Sequence, residues 1–162
     1  MKAKFKLVPE LVPRPLWGIS APRVLKKSTA WRAIRLETFA EAGNKCEFCN
    51  TGTQLECHDK WKYDDKKCVA TLIGFESRCK ACHFATHIGR AMTLGPNYLR
   101  IAVEQICKVN GCTVNDVNKM LSVEVPLWEK RNKKQWTIVI APALLKRYPK
   151  LEAVTLMTPT EG

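Results

Sequence analysis

Cys46-Glu47-Phe48-Cys49, Leu55-Glu56-Cys57-His58-Asp59-Lys60-Trp61 and Cys79-Lys80-Ala81-Cys82-His83-Phe84-Ala85-Thr86-His87 are three pieces of one stretch that decides how this chain folds. All three histidines and six of the eight cysteines lie inside it. A CxxC turn places two sulfurs about one tetrahedral edge apart, and a second such turn 29 residues further on completes a four-sulfur shell. Cys46, Cys49, Cys79 and Cys82 are therefore expected to hold a structural Zn²⁺, with mononuclear iron the alternative that uses the same geometry. Four sulfurs already fill a tetrahedral metal. The histidines thus imply a second, chemically different site.

The elements around these turns follow from composition. Gln54 to Tyr63 and Cys68 to Glu76 read as two strands rich in β-formers, linked by Asp64-Asp65-Lys66-Lys67. A short helix is expected from Lys80 to Gly89, with the glycine as its C-cap. Before the first knuckle, Ser28 to Ala42 fits a helix with Ser28 or Thr29 as N-cap, Trp31, Ile34 and Thr38 inward, and Gly43-Asn44 as its stop. After the second, Asn97 to Val109 has helical apolar spacing and ends at Asn110-Gly111. Thr113 caps a further helix through Leu121, with Val114, Val117 and Leu121 inward. Trp136 to Ala141 reads as a strand and Ala143 to Leu151 as a last short helix. Residues 1–27 carry Pro9, Pro13, Pro15 and Pro22 and read as an extended basic arm, whose Leu11, Leu16, Trp17 and Ile19 lie against the domain.

Bulk properties set the class. Twenty-seven Lys and Arg against fifteen Asp and Glu leave a net charge of +12, the balance of a protein that meets a polyanion. CxxC pairs without a signal peptide point to reduced thiols and a cytoplasmic location. No apolar run approaches the roughly 20 residues that span a bilayer, so no membrane partner is expected.

His83 and His87 stand i, i+4 on the short helix, so both imidazoles project from one face and can share a divalent ion. Two such histidines are otherwise ordinary surface residues, but His83 directly follows Cys82 and is held rigidly. His58, on the first strand, is placed to face that helix, and its plainer reading is a hydrogen-bonded core histidine.

Leu55-Glu56-Cys57-His58-Asp59-Lys60-Trp61 followed by Cys79-x2-Cys82-His83-x3-His87 resembles the ββα-metal core of HNH endonucleases, and most closely their zinc-stapled bacterial and phage members, which carry a four-cysteine site. The likeness covers Lys45 to Gly89, and Pro15-Leu16-Trp17-Gly18-Ile19 resembles a leader found in some of them. It implies an α+β fold with flanking helices: an arm (1–27), a zinc-stapled core (28–95), a helical extension of the same domain (96–154) and a loose tail (155–162). It also implies hydrolysis of DNA phosphodiesters, in a bacterial cell or phage-infected host. His58 would be the general base, and His83 and His87 would hold a second divalent cation, Mg²⁺, Mn²⁺, Ni²⁺ or Zn²⁺, as Lewis acid. The alternative function is a catalytically silent zinc module that binds nucleic acid.

Two positions depart from the family pattern. Cys57 stands where a metal-ligating His or Asp is usual. Either its thiolate serves, favouring Zn²⁺, Ni²⁺ or Mn²⁺ over Mg²⁺, or it packs inward and Asp59 or Glu56 supplies the third ligand. Gly74, five residues before Cys79, occupies the place of the asparagine that orients the base. Glu76 or a backbone carbonyl is then expected to substitute. Arg78, Lys80 and Arg90 flank the metal helix as candidate phosphate contacts. Arg131, Lys133 and Lys134 form a second basic cluster, either DNA-facing or solvated, and Trp61 and Tyr63 either stack on a base or sugar or, the favoured reading, serve as core aromatics.

Overall fold

The computed structural model describes residues 5–159, so the first four residues of the arm and the last three of the tail lie outside the described residues. Its centre is a hairpin. Leu55–Asp64 (β1) and Val69–Cys79 (β2) pair antiparallel, and Thr137–Ile140 (β3) adds parallel to β2, giving a mixed sheet in the order β1-β2-β3. Asp64 closes the hairpin turn, its carboxylate accepting from the N–H groups of Lys66 (3.0 Å) and Lys67 (2.9 Å). The extension is therefore not only helical: its strand becomes part of the central sheet.

One irregularity decides which side chains face inward. Lys60 pairs with Gly74 but Trp61 pairs with Leu72, leaving Ile73 as the extra residue of a β-bulge. The bulge shifts the alternation by one, so Leu72 and Ala70 are fully buried while Ile73 is 43% exposed. Without it, Ile73 and Thr71 would turn to the core.

Helices cover the rest. Ala21–Leu25 (α1) begins at Ser20, and Thr29–Glu41 (α2) at Ser28, whose hydroxyl accepts the Trp31 N–H. α2 ends where expected, with Gly43 and Asn44 both at positive φ. Lys80–Thr86 (α3) follows β2 directly, then Ile88–Leu94 (α4), Pro96–Asn110 (α5) and Val114–Arg131 (α6). Thr113 and Asp116 form a capping box for α6. Pro142–Arg147 (α7) and Glu152–Thr155 (α8) are the last helices among the described residues, separated by a single 3₁₀ turn at Pro149–Leu151. No helix among the described residues is long and apolar enough to cross a membrane.

Two buried clusters result. One packs Ile34 of α2, Leu72 and Ala70 of β2, Ile138 and Ile140 of β3, and Leu151 and Val154 together, with Trp61 and Tyr63 partly buried against it. The other gathers Cys46, Cys79 and Cys82 with Ala85, Ile88, Ala102, Ile106 and Val117. The cysteines thus sit at the junction of hairpin, α3 and α5.

Several expected details change. Gly89 is not a C-cap: the helix breaks two residues earlier, at His87 (φ −81°, ψ 51°), and Gly89 lies inside α4. There a Cβ would come within 3.2 Å of the Leu11 side chain, so the glycine admits the arm. α6 runs ten residues past Leu121, carrying Pro126 and the basic end of the segment, and Val114 is exposed at its first turn. The arm is not irregular throughout, since Arg14–Leu16 and α1 are helical. Trp17 is exposed. Leu7, Pro9, Leu11 and Pro13 alternate inward in extended fashion. Asn110 clamps this arm, accepting the N–H groups of Lys6 (2.8 Å) and Leu7 (3.0 Å), while Asn132 accepts from Arg14 (2.8 Å).

Candidate metal centres

The first knuckle folds because its backbone closes on itself. Cys46 N–H donates to Thr51 O (2.8 Å), Asn50 N–H donates to Cys46 O (3.0 Å), and Asn50 takes the left-handed φ of 62° that such a turn requires. Glu47 fixes the knuckle to β2, its N–H donating to Ser77 O (2.9 Å) and its carboxylate accepting from Ser77 N–H (2.6 Å). The second CxxC spans the end of β2 and the first turn of α3, where Cys79 is the N-cap. The four sulfurs of Cys46, Cys49, Cys79 and Cys82 lie within 4.8 Å of one another. Cys49 and Cys79 stand 3.6 Å apart, close to the ~3.8 Å edge of a tetrahedron with ~2.3 Å zinc–sulfur bonds. This cluster can bind a metal ion such as zinc. Gln105 of α5 donates from Nε2 to Cys82 Sγ (3.2 Å), an outer contact of the kind that orients ligands. Burial pushes the Cys82 thiol up, a penalty that a bound cation reverses.

The histidines form a second cluster. His58 from β1, His83 from α3 and His87 from the break between α3 and α4 each bring a ring nitrogen within 4.8 Å of the other two. The Nε2 atoms of His83 and His87 are 3.1 Å apart. His83 Nδ1 lies 2.6 Å from Glu56 Oε2, so the carboxylate anchors the outer nitrogen and leaves the inner one toward the centre. Burial lowers the pKa of His83 and takes that of His87 to about 3, helped by the neighbouring imidazoles. Both rings are therefore neutral near pH 7, the form that ligates a metal. Imidazole nitrogens suit zinc or nickel better than magnesium.

Strand alternation removes two expected members of this centre. Cys57 and Asp59 flank His58 and point to the opposite face of β1. Cys57 packs against the α2 side, where burial raises its thiol to about 12. Asp59 accepts the Ala21 N–H at the start of α1 (2.8 Å). Neither joins the cluster of His58, His83 and His87, and Glu56 is placed behind His83. Arg78 is also corrected: it is 2% exposed and has no surface for a phosphate. Its guanidinium donates to Glu76 Oε2 (2.5 and 3.1 Å), Thr86 Oγ1 (2.8 Å) and Glu10 Oε1 (3.0 Å). Lys80 and Arg90 are exposed, on α3 and α4. Arg131 forms two 2.7 Å bonds to Asp65, which binds the second basic cluster to the hairpin turn.

Glu10 is the residue that sequence reasoning misses. Its Oε2 lies 3.0 Å from His58 Nε2. Burial alone would raise its pKa, but His58 and Arg78 outweigh that and hold it at about 2. The available signal was the alternation of Leu7, Pro9, Leu11 and Pro13, which marks a docked arm.

No protein-family model, no curated protein and no solved structure matches this chain.

Proposed function

We propose that this chain is a metal-dependent DNA endonuclease with a ββα-metal core of HNH type. The observation that carries the reading is the convergence of one strand histidine, His58, with His83 of α3 and His87 at its C-cap, beside a four-cysteine cluster that joins hairpin to helix. His83 and His87 would hold the divalent cation. When bound, that cation supplies positive charge at the scissile phosphate and lowers the pKa of water. His58 takes the proton of the attacking water, the general-base role for which an imidazole is suited near neutrality. Lys80 and Arg90 meet the phosphates on either side, and the surplus of positive charge draws the polyanion in. Cys46, Cys49, Cys79 and Cys82 would hold a zinc ion whose task is to fix α3 against the hairpin.

The rival is a silent zinc module that binds nucleic acid, favoured by Gly74 in the asparagine position. Supercoiled plasmid incubated with purified protein and Mg²⁺, Mn²⁺, Ni²⁺ or Zn²⁺ separates the two. Nicking is expected with the wild type, and His58→Ala should lower it at least ~100-fold while DNA binding and the cysteine-bound zinc persist. His83→Ala and His87→Ala should instead lose the second ion. Wild-type protein that never nicks with any of these cations leaves the silent module.

A further inference from the structure

We propose that Glu10, delivered by the N-terminal arm, is the positioning residue that locks His58 in its Nε2–H tautomer and so leaves Nδ1 with the free lone pair. An ionised carboxylate only accepts hydrogen bonds, so across the 3.0 Å contact a neutral His58 must donate from Nε2. Nδ1 of His58 has no hydrogen-bond partner among the described residues. It is the nitrogen left to receive a proton.

The carboxylate itself cannot turn away. Its second oxygen accepts from Arg78 Nη2 (3.0 Å), and Arg78 is held in place by Glu76 and Thr86. The backbone is fixed as well, since Glu10 N–H donates to Thr86 O (2.9 Å), the residue before His87, and the flanking Pro9 and Leu11 are buried. One carboxylate therefore ties the arm, β1, β2 and the end of α3 to the orientation of one imidazole.

No local residue takes this part. Gly74 has no side chain, and an added Cβ would meet nothing within 4 Å. Glu76 faces His58 in the strand register but is engaged by Lys60 (2.9 Å) and Arg78 (2.5 Å). The orienting group comes instead from 48 residues upstream. Its consequence for cleavage rests on His58 being the base, whereas the tautomer itself does not.

The test is ¹H–¹⁵N long-range correlation spectroscopy of the imidazoles near pH 7.5, on protein loaded with one zinc per chain. Wild-type His58 is expected as the Nε2–H form. In Glu10→Gln the amide oxygen must face Arg78, which only donates, so its NH₂ group turns to His58 and should invert the ring to the Nδ1–H form. Glu10→Ala should give a mixture. Where the wild type nicks plasmid, Glu10→Gln should lower kcat at least ~100-fold with DNA affinity unchanged. An Nδ1–H form in the wild type, or an unchanged spectrum in Glu10→Gln, overturns the proposal even if cleavage is intact. Inversion in a protein that never nicks upholds it while removing the nuclease reading. The wild-type spectrum decides the tautomer even if a variant fails to fold.

Discussion

Asp59→Asn isolates the charge of a carboxylate that the fold buries. Asp59 is 8% exposed. One oxygen accepts the Ala21 N–H at 2.8 Å, and the other, Oδ1, has no partner. Burial raises its pKa from 3.8 to about 6, with the Ala21 N–H and His58 pulling the other way. A carboxyl whose folded pKa is raised binds its proton better when folded, so stability falls as pH rises from about 4 through about 6. The full effect is about 3 kcal/mol, of which about 1.4 kcal/mol falls between pH 5 and pH 8. The asparagine amide keeps an acceptor for Ala21 and carries no charge, so this pH dependence should vanish. The stability of the variant relative to wild type should therefore grow by about 1–1.5 kcal/mol from pH 5 to pH 8. Urea unfolding of the zinc-loaded proteins, followed by tryptophan fluorescence at four pH values, measures it. A difference that stays constant to within about 0.3 kcal/mol across that range would refute the reasoning.

Three further outcomes follow from the metal and charge assignments. Cys82→Ser should release zinc and yield unfolded or insoluble protein, because metal binding contributes folding free energy; a soluble variant with cooperative unfolding and unchanged zinc content speaks against it. Charge reversal at Lys80 and Arg90 together should weaken DNA binding to all sequences alike and reduce the log–log salt slope by about 2, read by titration at several salt concentrations. Arg78→Met should instead destabilise the fold by ~3–5 kcal/mol in urea unfolding, since it leaves Glu76 and Glu10 without their buried partner.

Much of this arrangement is legible residue by residue. The two CxxC turns, the two strands of the hairpin, the Ser28 and Thr113 caps and the i, i+4 histidines all express local rules, and local rules survive folding. The strand alternation that puts His58 on one face and Cys57 and Asp59 on the other is also a local rule. The family pattern pointed past it, by placing a ligand next to the base. The bulge at Ile73 is different, because an extra residue resets the period of β2 and leaves no mark in composition. Arg78 looks like any surface arginine until three partners, from the arm, β2 and α3, are brought around it. Glu10 is silent for the same reason: its partners lie 48 and 68 residues away. Gly89 reads as a helix stop only while the arm that packs against it is out of view.

The seat of the arm is made late. Asn110 and Asn132, which receive the backbone of the arm, emerge from a ribosome more than a hundred residues after the segments they hold. A nascent chain that has reached only His87 already carries both CxxC turns and all three histidines. It can staple its hairpin with a metal while still tethered, since those contacts are short-range. It carries Arg78 and Thr86, which hold Glu10 itself, but lacks the two asparagines that clamp the arm on either side of it. The hairpin and its four cysteines can therefore assemble before the arm is clamped at both ends, a step that waits for translation through Asn132.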